Sequence, residues 1–358
     1  EGHQCVPLIA AADIAAWIAG QDQGPVGVLL SGDTGFYSGA KNLWPLLKDY
    51  EVETIPGLSS LAYFCARLGT TWQDVRVVSA HGRSHNVVGE IQSHRRTFAL
   101  TGGATKAEDI CRALTERGLG EVRVSVGERL SYPDERIVTG TAAELAQERF
   151  ADLSVLLAEH DEPVLRPWNT PGLPDEAFLR GEVPMTKEEV RALALCKLRL
   201  QPWHTVWDVG AGTGSVSVEC ALACPEGRVY AIEKKEAALD LLSENKARFG
   251  CSNLELVPGT APEALKDLPA PDRVFLGGTS GDMEEILAVI FEKNPQARVV
   301  CTAVTLETVG EAARLFAPLE GADMVQVAVT RTRRAGRYHL MDAQNPVWMF
   351  SGEGKGDG

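Results

Sequence analysis

Thr205-Val206-Trp207-Asp208-Val209-Gly210-Ala211-Gly212-Thr213-Gly214 reads as a strand running into a glycine turn, and Glu233 closes the strand that follows. That combination suits a nucleoside. Glycines let backbone approach a ligand that a Cβ would exclude, and a carboxylate ending the second strand can accept hydrogen bonds from both ribose hydroxyls. Ser215 stands where a dinucleotide fingerprint places its third glycine, which tilts the reading from a pyrophosphate ligand toward S-adenosyl-L-methionine. Two later segments fit the same ligand: Thr260 and Ala261 in Gly259-Thr260-Ala261-Pro262-Glu263 can meet an adenine edge, and Gly277-Gly278 leaves room for a methyl acceptor. An NAD-dependent oxidoreductase on the same kind of sheet is the alternative.

A second constellation is basic: Arg331-Thr332-Arg333-Arg334-Ala335-Gly336-Arg337-Tyr338-His339, with weaker clusters at His81, Arg83 and His85 and at His94-Arg95-Arg96. Arginine grips carboxylates bidentately, so Arg331, Arg333, Arg334 and Arg337 are candidates to flank an acidic acceptor. Arg333, Tyr338 and His339 are the candidate catalytic residues, the last two as proton donors; a solvated hairpin tip is the plainer alternative. Cysteines at 5, 65, 111, 196, 220, 224, 251 and 301 form no Cys-x-x-Cys pair, which predicts reduced thiols and no metal site, even at Cys220 and Cys224 one helical turn apart.

These residues need a scaffold. In the second half, strands are predicted at 206–209, 228–232, 254–257, 273–276, 297–302, 324–330 and 346–350, with helices at 215–223, 235–249, 283–293 and 306–315. Alternation of this kind predicts a parallel sheet covered on both faces. The last two strands lack a helix between them and predict an antiparallel hairpin turning near Gly336. The first half predicts strands at 26–30, 52–55, 75–79, 97–101, 122–126 and 153–158, and helices reaching Lys48 and Leu68. Between Glu159 and Thr186 five prolines (163, 167, 171, 174 and 184) break periodicity and predict a domain boundary near residue 175. A length of 358 residues suits two domains. The formal charge of −14 argues against a nucleic-acid partner, and no apolar run is long enough to span a membrane. A cytoplasmic protein is expected.

From about Pro171 to Phe350 the chain resembles the C15-methylating, decarboxylating domain family of the cobalamin pathway, through Pro184-Met185-Thr186-Lys187-Glu188-Glu189-Val190-Arg191, Gly210–Gly214, Gly259–Leu265 and Phe275-Leu276-Gly277-Gly278. From about Gly24 to His160 it resembles the tetrapyrrole methylase family, in particular its C5-methylating members, through Ser31-Gly32-Asp33-Thr34-Gly35-Phe36, Ile55-Pro56-Gly57-Leu58-Ser59-Ser60 and Val77-Val78-Ser79-Ala80-His81-Gly82-Arg83. The resemblance implies an α/β fold in two parts: a tetrapyrrole methylase-like α/β domain over 1–160, a Pro-rich linker over 161–183, and a Rossmann-like, mostly parallel-sheet methyltransferase domain over 184–358.

It also implies that Thr186, Gly210, Ala211, Gly212, Thr213, Gly214, Glu233 and Ala261 surround S-adenosyl-L-methionine. A second cofactor site is implied near Gly32, Asp33, Thr34 and Gly35, walled by Thr101-Gly102-Gly103. The implied acceptor is a tetrapyrrole, a precorrin or cobalt-precorrin, methylated at C5 and C15 with loss of an acetate carboxyl, and the implied assembly is a homo-oligomer. The methylase family opens with a strand and a Gly-x-Gly-Pro-Gly loop that nothing before Gly24 matches, so either the start lies outside this sequence or that half is curtailed. A single active C15-methylating half beside a non-catalytic docking half is a further alternative.

Overall fold

The computed structural model describes residues 5–21, 24–80, 86–103, 105–163, 170–279 and 281–355. The sequence candidates His81, Arg83 and His85, and Pro167-Trp168-Asn169 of the proline-rich stretch, lie outside them. In the first half β1 (Arg76–Ser79), β2 (Arg96–Thr101), β3 (Arg123–Glu128), β4 (Arg136–Thr141) and β5 (Ser154–Glu159) form one sheet in the order β1-β2-β5-β3-β4, parallel only between β1 and β2. Alternate side chains serve its two faces, as the pleat requires. Val124, Val126, Leu156 and Ala158 pack under the helices Val87–Ser93 and Ala107–Thr115, while Phe98, Val155 and Leu157 meet Leu61 and Phe64 of the helix Ser60–Arg67.

The predicted strands at 26–30 and 52–55 are not strands. Leu29 is 96% exposed and Ile55 74%, and neither run pairs with a neighbour. An extended apolar run becomes a strand only where a ladder satisfies its backbone groups. The helix expected to reach Lys48 is reduced to the short turns Ala40–Leu43 and Trp44–Leu46. β4 was not legible in the pattern because its residues are only half-buried or exposed.

The second half holds β6 (Thr205–Val209), β7 (Arg228–Glu233), β8 (Leu254–Pro258), β9 (Arg273–Leu276), β10 (Arg298–Ala303), β11 (Glu320–Val327), β12 (Thr330–Ala335), β13 (Tyr338–Ala343) and β14 (Val347–Glu353). Seven of them make a sheet in the order β11-β14-β10-β9-β6-β7-β8, with β6 to β10 parallel and β14 antiparallel to both its neighbours. Residues such as Val206, Val229 and Val300 point to one core, and Val209, Ile232 and Val299 to the other. Burial on both faces explains why the central strands read as unbroken apolar runs. The expected terminal hairpin is built on two levels: β11 and β14 pair inside the main sheet, while β12 and β13 fold as a separate two-stranded ribbon turning at Gly336.

The halves interlock at Asn86, which caps the helix Val87–Ser93 through Gly89 N–H. Its amide donates to the Gly250 carbonyl at 3.2 Å and to Asn253 Oδ1 at 3.3 Å, and it accepts from the Ser252 hydroxyl. Its own N–H reaches the Pro225 carbonyl at 3.1 Å. Among the described residues no helix is long and apolar enough to cross a membrane.

Candidate active site

The strand order reverses between β6, flanked by β7 on one side, and β9 on the other, and the crevice at their carboxyl ends is where an open α/β sheet takes ligands. Gly210 N–H and Ala211 N–H turn back to the Ile232 carbonyl, and Gly277 and Gly278 N–H both reach the Val209 carbonyl. Gly210 has φ +76°, and a Cβ there would lie 2.8 Å from Gly278 N, so the two turns can touch because Gly210 lacks a side chain. A cavity of about 520 Å³ opens over them, within the range of small-molecule sites.

Glu233, buried at the end of β7, lines that cavity. Its Oε2 accepts Gly212 N–H at 2.9 Å and its Oε1 accepts the N–H groups of Lys234 and Lys235, each at 2.9 Å. Three backbone donors fix the carboxylate without using all its lone pairs, so it arrives already oriented toward the crevice. Thr260 and Ala261 line the far wall, and Thr186, with Val183, Pro184, Met185 and Lys187, lines the near one. Thr213 and Gly214 do not line the cavity: Thr213 is buried and passes its carbonyl to Asn245 at 2.9 Å, and Gly214 is the N-cap of the helix Ser215–Ala223.

Asp208 sits one turn behind the loop, fully buried and accepting from the Ser217 hydroxyl. Burial pushes its carboxyl up to about 7 against the opposing pull of Ser217. Its Oδ1 and the Thr213 hydroxyl lack a protein partner. A glycine cradle that a Cβ would fill, with a carboxylate fixed at its rim, fits a polar ligand threaded along the loop. The residues therefore fit an adenosyl amino acid.

The third wall comes from the base of the ribbon: Val327, Val329, Gln344, Asn345 and Val347. Sequence reasoning missed these residues, together with Lys234 and Lys235 on the rim, and quoted Lys187 only as part of a motif. The polar pair Gln344-Asn345 between two strand runs was the available signal. Arg333, Tyr338 and His339 are exposed, and none lines the cavity. Arg337 stacks on Tyr338 at 4.9 Å and bonds its hydroxyl at 2.6 Å, while Arg331 is paired bidentately with Glu189 at 2.7 and 2.9 Å.

A second cavity, of about 1210 Å³, lies in the first half. Gly32, Asp33 and Thr101 line it; Thr34, Gly35, Gly102 and Gly103 do not. Asp33 Oδ1 accepts Gly35 N–H at 2.7 Å, which makes this run a compact turn. Tyr63 donates to Glu135 at 2.7 Å from the same wall, and Glu226, contributed by the second half, completes it.

A mostly parallel sheet with an antiparallel β14, a glycine turn after its first strand and an acidic residue ending the second define a Rossmann-like S-adenosylmethionine-dependent methyltransferase. Residues 176–353 match the family described as precorrin methyltransferase domain, and residues 9–146 match the tetrapyrrole (corrin/porphyrin) methylases. A precorrin-6Y C(5,15)-methyltransferase [decarboxylating] from Sinorhizobium sp is 31% identical over 333 residues, 91% of this chain and 79% of that protein. The chain belongs to this family of fused methyltransferases. A probable cobalt-precorrin-6B C(15)-methyltransferase (decarboxylating) from Pyrobaculum calidifontis is 46% identical over 190 residues, 52% of this chain and 97% of that protein. A solved precorrin-6y C5,15-methyltransferase structure from Geobacter metallireducens superposes with a TM-score of 0.49 at 36% identity, covering 52% of this chain and 98% of that one.

Proposed function

We propose that the second half binds S-adenosyl-L-methionine over Gly210–Gly212 and methylates a precorrin, or its cobalt form, at C15 with loss of the C12 acetate carboxyl, and that the first half adds the C5 methyl. The observation that carries this reading is Glu233, held by three backbone N–H groups at the rim of a crevice whose floor is glycine. Glu233 would take the ribose hydroxyls, Thr260 and Ala261 the adenine edge, and Gly210–Gly212 with Thr186 the amino-acid end. The bound group supplies an electrophilic sulfonium methyl.

The chain's own task is alignment. Proximity and orientation can contribute roughly 7–11 kcal/mol, so no nucleophilic side chain is needed. Val327, Val329 and Val347 offer an apolar face for the macrocycle, and Gln344 and Asn345 offer amide donors to its polar rim. Loss of CO₂ breaks the acetate C–C bond and sends its electron pair into the conjugated ring, and a proton delivered to the remaining CH₂ carbon completes a methyl group. Arg333, Tyr338 and His339 stand on the ribbon beyond the cavity, where a macrocycle wider than the crevice would meet them: Arg333 to pair with its carboxylates, Tyr338 and His339 as the candidate proton donors. The compartment proposed for this reaction is the cytoplasm.

Mass spectrometry of precorrin-6B turnover by the full chain tests the proposal. Gain of two methyls with loss of one CO₂ is the expected result. A product with one methyl and one lost CO₂ favours a second reading, in which the first half only docks substrate. The runs at 26–30 and 52–55, which stay outside the sheet and are largely exposed, support that reading. No change in substrate mass would overturn both.

A further inference from the structure

Arg191 is fully buried, with 0% of its side chain exposed. A guanidinium in that position must have its donors matched. Nε meets Glu219, Nη1 meets Asp175 Oδ1 and the Thr186 carbonyl, and Nη2 meets the Leu173 carbonyl, while the Phe178 ring lies 4.7 Å from its Cζ. Glu219 completes the clamp by accepting Gly172 N–H at 2.8 Å and Leu173 N–H at 3.1 Å. The strap 172–187 contains no regular element beyond the single turn Asp175–Ala177. It nevertheless ends in the near wall of the crevice, and the Pro184 carbonyl lies 3.1 Å from where a Cβ on Gly212 would stand. That wall is therefore placed by side-chain ties, chief among them one guanidinium.

The same network reaches the ribbon. Arg331, at the base of β12, holds Glu189 bidentately, and its Nη2 lies 3.6 Å from Asp175 Oδ2. Asp175 thus presents one oxygen to each arginine, and its Oδ1 also accepts Glu188 N–H at 3.0 Å. The ribbon base and the strap are two walls of one cavity, and Asp175 is the carboxylate that meets both arginines, beside Glu188 and Glu189, which also face Arg331.

We propose that Arg191, Asp175 and Arg331 are positioning residues that couple the ribbon to the Val183–Thr186 wall, so that acceptor contact at the ribbon and enclosure of the cofactor are one structural event. Arg331 serves this anchor and not the substrate carboxylates. The inference rests on the reading of the crevice as the S-adenosylmethionine site.

The test titrates S-adenosylhomocysteine into the full chain by calorimetry. Arg331 is a third exposed, so Arg331→Gln leaves the core intact. Residues acting through one carboxylate are non-additive, so Arg331→Gln and Asp175→Asn should each weaken binding about tenfold, and the double variant no more than either alone. Arg331→Lys should recover part of the loss. In turnover, the KM for S-adenosylmethionine should rise while kcat at saturation is kept, a split that a general loss of stability would not produce. Wild-type binding matched by Arg331→Gln, or losses that multiply in the double variant, would overturn the coupling and leave the site assignment standing. Failure of the wild type to bind would remove the assignment and the coupling together.

Discussion

At the scale of single residues, two buried carboxyl groups near the glycine turn have different partners. Glu233 is held by backbone donors at the cavity wall, and charge-assisted hydrogen bonds are worth about 1.5–3 kcal/mol. Glu233→Gln should therefore weaken S-adenosylhomocysteine binding at least about tenfold in a calorimetric titration. Asp208 behaves differently because burial raises its carboxyl to about 7. A folded-state value above the unfolded one means the folded protein holds a proton that the unfolded chain releases. This group's contribution is fully present below about 4 and is lost as pH rises toward about 7. The thermal midpoint of the wild type should fall across that window relative to Asp208→Asn, whose amide does not titrate; parallel curves for the two proteins would contradict the assignment. Glu233 and the glycines were legible in the sequence because their spacing is local. Arg191 was quoted only as part of a motif, since nothing in a linear pattern shows that its four partners converge.

At the scale of elements, the glycine turn is a contact between two strand ends and not a flexible loop. Gly210→Ala would place its Cβ 2.8 Å from Gly278 N and 2.9 Å from Gly278 O, both backbone atoms, at a φ of +76°. Strain of this kind costs about 1–3 kcal/mol, and the variant should lose S-adenosylhomocysteine binding and melt lower. Asn245 tests the strap from its other end: the side chain accepts Leu179 N–H at 2.9 Å and donates to the Leu179 and Thr213 carbonyls at 2.7 and 2.9 Å. Asn245→Ala leaves those groups unmatched and should cost about 1–3 kcal/mol for each that stays buried, measured by chemical denaturation. Strands β6, β7, β9 and β10 were readable because burial on both faces leaves largely apolar runs. The ribbon was not separable from the terminal hairpin, because alternation gives strands but not which strands pair.

At the scale of the whole molecule, Asn86 ties the halves at the point where Pro225 leads from the helix Ser215–Ala223 toward Glu226 and the first-half cavity. That helix begins just after the Gly210–Gly212 turn that lines the second-half cavity. Asn86→Ala should loosen the junction and split scanning calorimetry into two transitions, the lower belonging to the first half; one unchanged transition would show that other contacts suffice. The sequence by itself determined the α/β class, the glycine turn, the acidic residue that follows it and the family, because each is written in short-range spacing and burial periodicity. Only the tertiary structure decided that the runs at 26–30 and 52–55 stay outside the sheet, that the proline-rich strap closes a wall of the crevice, and that Arg331 pairs with Glu189 beside Asp175. Those outcomes depend on which distant backbone and charged groups find partners, and no local pattern encodes that.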